Sequence, residues 1–151
     1  MVILRNLTLH EQGDAECRLA AEAGFVLHRL PGGVEVQPGQ AGLDHACAVL
    51  AERLIECARN HEAVLTGGHT GVWMAAMQRL VARSENLPTM YCFDTRRRRD
   101  ADGRFVFLPE RLLRIPQAVA ASDSSAPDER FRPGSRVARC ETRDHPAEPT
   151  G

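Results

Sequence analysis

A pair of glycines followed by a histidine and a threonine, Gly67-Gly68-His69-Thr70, is where residue types and spacing best suit chemistry on an anion in this 151-residue chain. Glycines lack the Cβ atoms that keep a ligand off the backbone. Free N–H groups at a helix start point outward, with the positive end of the helix dipole behind them. The amides of Gly67, Gly68 and His69 and the hydroxyl of Thr70 therefore form a seat for phosphate oxygens. Two more clusters have matching chemistry: Asn6, Thr8 and His10 supply a carboxamide, a hydroxyl and an imidazole, and Asp94 precedes Arg96, Arg97, Arg98 and Arg99. A guanidinium fork donates two hydrogen bonds to one phosphate. Imidazole is the side chain suited to proton transfer near neutral pH, which makes His10 the first catalytic candidate and His69 the second.

The elements that must position these groups are legible in the pattern. Residues 63–66 are an apolar run, and after the glycines Trp73, Met77, Leu80 and Val81 recur at helical spacing, so the stretch reads as strand, tight turn and helix. Residues 2–7 suit a buried strand. Thr8-x-x-Glu11 has the capping-box spacing and predicts a helix to Ala23, with Ala15, Leu19 and Ala23 inward and Gly24 as its stop. Residues 25–30 form a second strand, and residues 31–42, rich in Pro and Gly, a crossing loop. Leu43, Cys47, Leu50, Leu54 and Cys57 make the apolar stripe of a second helix. Residues 88–93 read as a strand ending in the arginine run. Asp102-Gly103 then turns the chain into residues 104–108, giving a hairpin edge. From Pro116 onward, alanine, serine, proline and charges occur without periodicity, which predicts a mobile tail over 116–151 beside one domain over 1–115.

Strands alternating with helices predict a Rossmann-like α/β domain of three layers, with a mostly parallel sheet and a C-terminal β-hairpin edge. In such sheets ligands sit beyond the carboxyl ends of the strands, where the strand order reverses. All three polar clusters fall at such ends. With a flavodoxin-like order the first and third strands are neighbours, their clusters face one crevice, and the arginines stand at its rim. The expected ligand set is Asn6, Thr8, Gly67, Gly68, His69, Thr70, Asp94, Arg96 and Arg97, with Asn6, His10 and His69 as catalytic candidates. The expected ligand contains phosphate.

Composition narrows the classes. All nineteen basic residues are arginine, yet the net charge is −1, so the chain has no general field for a polyanion and duplex DNA is not an expected partner. Aromatic residues are 5% of the chain, too few for a nucleic-acid stacking surface, and Trp73, Met74 and Met77 read as helix packing. Five cysteines at irregular spacing form neither a disulfide framework nor a metal pair, and His28, His45 and His61 lack metal-ligand spacing. Neither metal nor cofactor is expected. No leader is evident and no stretch approaches the ~20 apolar residues of a membrane span. The expected location is cytoplasmic.

Three short motifs carry a resemblance. Asn6-Leu7-Thr8-Leu9-His10 after the first strand, Gly67-Gly68 after a middle one and Cys92-Phe93-Asp94-Thr95-Arg96 after a later one resemble the small stand-alone CRISPR-associated ring nucleases of the CARF-like group, over residues 1–115. The resemblance implies a homodimer that binds cyclic oligoadenylate, cyclic tetra-adenylate above all, across its twofold axis. It also implies cleavage of the ring without metal, switching off type III CRISPR signalling in antiviral defence. Asn6, Thr8, His10, Gly67, Gly68 and Arg96 are the residues it carries over; His69, the remaining arginines and the tail lie outside the shared pattern. The residues themselves are compatible with this chemistry. Holding a ribose 2′-hydroxyl in line with the adjacent phosphorus supplies up to roughly 7–11 kcal/mol, and amides with an arginine stabilise the added charge. A twofold ring needs a twofold pocket, and residues 105–108 or the helix after the glycines offer apolar contact surface. Two alternatives stay open: a sensor or sponge that binds the ring without cutting it, and a metal-dependent nucleotide enzyme. The latter lacks a Gly-x-x-x-x-Gly-Lys-Ser/Thr loop.

Overall fold

Leu4, Val64 and Leu65 are sealed from solvent because their strands are covered on both faces. The computed structural model describes residues 1–117. Within them the order is β1 (Val2–Asn6), α1 (Asp14–Glu22), β2 (Phe25–Leu27), α2 (Gln40–Arg59), β3 (Ala63–Leu65), α3 (Thr70–Ala82), β4 (Met90–Arg99) and β5 (Phe105–Arg114). The expected tail lies outside the described residues, apart from Pro116 and Gln117.

The five strands form one sheet in the order β2-β1-β3-β4-β5, parallel except for β5, so the order reverses between β1 and β3 as expected. Strand alternation sends neighbouring residues to opposite faces. Leu4, Leu27, Ala63 and Leu65 pack with Ala20 of α1 on one face, while Leu7, Val64 and Met90 pack with α2 and α3 on the other. The α2 stripe is as expected, with Cys47, Leu50, Leu54 and Cys57 all buried. The α3 stripe is rotated from the expected one. Val72, Ala76 and Leu80 point inward, and Val81 is 67% exposed. Small Ala76 sits at the centre of the contact, with Trp73 and Met77 packed half-buried at its edge.

Two boundaries that bear on the site differ from the sequence reading, besides a shorter β2 and a longer β5. Helix α1 begins at Asp14 rather than after Thr8, because Glu16 accepts a hydrogen bond from the Gly13 amide at 3.1 Å. Thr8 is taken up elsewhere. Strand β4 does not stop at Phe93 but runs through all four arginines, because β5 pairs with it from Tyr91↔Arg114 out to Arg99↔Phe105. The turn sits at Asp100, whose carboxylate accepts from the amides of Asp102 at 3.0 Å and Arg104 at 2.8 Å. Since β3 pairs with β4 only to Tyr91, the outer part of the hairpin is a two-stranded ribbon leaving the same rim of the sheet. Among the described residues, no helix is long and apolar enough to cross a membrane.

Candidate functional site

The loop after β1 and the turn after β3 touch, as neighbouring parallel strands require. Leu7 N donates to Leu65 O at 3.1 Å, and a Cβ on Gly67 would stand 3.0 Å from Thr8 Cγ2. Gly67 is therefore needed for the close approach. Gly68 is needed for its backbone, which has φ +98°. Trp73 Nε1 donates to Gly67 O at 2.8 Å, and Thr66 N and Oγ1 both donate to Tyr91 O, at 2.8 and 3.1 Å. The turn is thus held from three sides. At the start of α3, Val72 N and Trp73 N donate back to His69 O at 3.1 and 3.3 Å, whereas the amides of Thr70 and Gly71 have no carbonyl one turn earlier in the helix. His69 caps this helix: Val72 N donates to its Nδ1 at 3.4 Å. With Nδ1 facing the Val72 amide, Nε2 is the ring nitrogen left for another partner.

Asn6 is fully buried and its bonding capacity is filled inside the chain. Its Nδ2 donates to His10 O at 2.8 Å and Arg29 O at 3.0 Å, and its Oδ1 accepts from Thr8 N at 3.0 Å and Thr8 Oγ1 at 2.8 Å. A carboxamide offers two donor hydrogens and two lone pairs, so none remains for a ligand. Thr8 is likewise spoken for, with Oγ1 also accepting from Gln12 Nε2 at 3.1 Å. These two side chains shape the wall behind the turn. His10 contributes its carbonyl to that knot while its imidazole stays exposed. The capping role read into Thr8 and Glu11 is therefore overturned, because Asn6 claims the threonine.

The basic cluster stands on the ribbon that leaves this rim, with most of its charges engaged on the ribbon itself. Arg96 pairs with Glu110 at 2.6 Å and Arg111 with Asp94 at 3.2 Å, across the ribbon. Arg97 and Arg99 stack on Phe105, with guanidinium carbons 3.5 and 4.8 Å from the ring centre. None of Asp94, Arg96 and Arg97 lines the cavities beside the glycine turn in the single chain. Phe105, Val106, Phe107 and Leu108 are all exposed, on both faces of the ribbon.

Two cavities were not foreseen. One, of about 490 Å³, opens directly from the glycine turn, and Trp73, Met74 and Met77 line it together with Thr66, Thr70, Gln78, Met90 and Ile115. The reading of these residues as helix packing holds for Trp73 and Met77, which pack half-buried against the core while their outer edges line the slot, and is corrected for Met74, which is 60% exposed. The second cavity, about 290 Å³, lies between the crossing loop and α2 and contains Arg5, Arg53, Glu56, Cys57 and Glu62. Arg53 donates to the carbonyls of Gly32 and Gly33, tying the loop to α2. Arg5 meets Glu62 through two bonds, one of 3.0 Å and one of 2.5 Å. The Arg5 guanidinium donating to it holds the Glu62 carboxyl below the ordinary value of 4.5, and the same bond raises Arg5. Burial pushes the Cys57 thiol up to about 11, with the Glu62 charge adding to it. Arg5 and Glu62 belong to no motif, so sequence spacing gave no signal for this pair.

Among the described residues, no group of three or more His, Cys, Asp or Glu side chains is placed to hold a metal ion. Comparison with family models, curated proteins and solved structures finds no match to this chain.

Proposed function

We propose that this chain is a CARF-like ring nuclease: it binds cyclic oligoadenylate, most suitably cyclic tetra-adenylate, at a twofold dimer interface and opens the ring without metal. The observation that supports this reading is the joining of two distant segments at the strand-order reversal, with the β1 loop packed on the glycine turn that leads into α3. Crevices of this kind are where parallel sheets receive phosphate-bearing ligands.

In the proposed reaction a ribose 2′-oxygen attacks the adjacent phosphorus, the bond from phosphorus to the 5′-oxygen breaks, and the products are a 2′,3′-cyclic phosphate and a 5′-hydroxyl. The Gly68, His69 and Thr70 amides stabilise the charge on the non-bridging oxygens. His10 takes the proton from the attacking hydroxyl, water protonates the leaving 5′-oxygen, and His69 Nε2 donates a hydrogen bond to a non-bridging oxygen as the charge there grows. Asn6 and Thr8 act as positioning residues, since their own polar atoms are occupied. The ribbon arginines reach a phosphate once a second copy brings the two halves of the pocket together. With excess cyclic tetra-adenylate and EDTA, chromatography should show linear products accumulating well beyond the protein concentration. Stoichiometric retention of the intact ring would instead establish a non-catalytic sensor or sponge. That second reading draws on one observation: among the described residues, no charged side chain lines the slot beside the turn.

A further inference from the structure

The slot beside the glycine turn has a chemical gradient along its length. Thr70, Trp73, Met74, Met77 and Gln78 recur at spacings of three and four, so they form one stripe on the flank of α3. The stripe begins with a hydroxyl, continues with apolar side chains and ends with a carboxamide. Met90 of β4 and Ile115 after β5 supply the facing wall. Trp73 is fixed as a wall by its bond to Gly67 O, whereas Met74 and Met77 are flexible thioethers able to close on a flat surface. Thr70 and Gln78 lie eight residues apart on the helix, a rise of about 12 Å, which is of the order of one nucleotide from phosphate to base edge.

We infer that this slot is the pocket for a purine base and that Gln78 is the residue that selects adenine. The inference rests on the ring-nuclease reading for the identity of the ligand, and goes beyond it in naming the specificity determinant. A purine has two apolar faces and one hydrogen-bonding edge, which matches two apolar walls closed at one end by an amide. A glutamine amide presents one acceptor and a donor side by side, the complement of adenine N6–H and N7; hypoxanthine and guanine present an acceptor, O6, where adenine has its donor. The opening at the turn leaves the phosphate on the α3 amides.

The test uses the full chain and cyclic tetra-adenylate, with its inosine counterpart as the control ligand, in EDTA. Methyl-labelled methionine gives a direct readout, because three of the four methionines, Met74, Met77 and Met90, line the slot and Met1 does not. Ring currents from a bound base should shift those three methyl signals and leave Met1 unmoved. Gln78→Leu, at an exposed position that the fold does not need, should weaken binding of the adenine ring about tenfold or more and remove the preference over the inosine ring. Gln78→Asn, one methylene shorter, should retain part of the preference. Unchanged affinity and preference in Gln78→Leu, or methyl shifts absent from a saturated complex, would overturn the base pocket while leaving the ring-nuclease reading intact. Failure of the unmodified protein to bind either ring would overturn both.

Discussion

Replacing Asn6 by alanine tests whether this residue builds the site or works in it. Four hydrogen bonds end on its side chain, and a simple sum at about 1 kcal/mol each would suggest a loss near 4 kcal/mol. The partners differ in what they keep. His10 O still accepts from Thr8 Oγ1 and Gln12 Nε2, and Arg29 O still accepts from Gln12 N. Thr8 Oγ1 still donates to His10 O, whereas Thr8 N has no other acceptor among the described residues. The loss is then one orphaned buried donor, about 1–3 kcal/mol, plus a small void, giving roughly 2–4 kcal/mol in all. With a urea slope of about 1–3 kcal/mol per molar, the midpoint should fall by about 1–2 M at unchanged slope. A double-mutant cycle with Thr8→Val should return a coupling of about 1–2 kcal/mol. A midpoint shift below about 0.3 M, less than 1 kcal/mol on that slope, would refute the accounting and reopen a direct role for Asn6 at the ligand.

Three further outcomes follow from other parts of the structure. Glu62 is held below 4.5 by Arg5, so the stability it contributes is present above that value and is lost as pH falls through the folded-state pKa; Glu62→Gln should cost about 1–2 kcal/mol at neutral pH and flatten this part of the acid limb, as measured by urea unfolding across pH. If the acid limbs of the two proteins superimpose, the pair is not stabilising. Because burial raises the Cys57 thiol to about 11, that residue should resist iodoacetamide at mildly alkaline pH in the folded protein and react once urea unfolds it; mass mapping of rapid native-state alkylation at Cys57 would contradict the burial. Phe107 is 64% exposed within the apolar run 105–108 of the ribbon, so Phe107→Asp should leave the melting curve in place while turning the proposed dimer into a monomer in sedimentation, and an unaltered sedimentation coefficient would remove the ribbon from the interface.

The framework was readable where local signals agreed. The run at 63–65, the paired glycines and the following helical spacing gave strand, turn and helix, and βα alternation was enough to anticipate β1 beside β3. Asp102-Gly103 placed the hairpin turn within a residue or two. The errors arose where a competing partner displaced the one that spacing suggested. Thr8 has the spacing of a helix cap, but the buried Asn6 carboxamide needs its hydroxyl, and Gly13 with Glu16 then starts the helix. Arg96 to Arg99 read as a charged run beyond a strand ending at residue 93, yet β5 pairing, the Glu110 ion pair and the stacking on Phe105 draw them into that strand. The slot was hidden because its existence depends on which side of α3 meets the core. That is settled by Ala76, whose small size carries no strong signal in a hydropathy pattern.

The account's central claim is that the backbone amides of the turn after β3 grip a phosphodiester. Amide NMR of the isotope-labelled protein titrated with cyclic tetra-adenylate in EDTA addresses it residue by residue. The largest and saturable shifts should fall on Gly67, Gly68, His69 and Thr70, with smaller ones through the Thr8 loop packed against them. Saturable shifts centred instead on the Arg5 and Cys57 cavity, or none at the glycine turn with excess ligand, would contradict the claim.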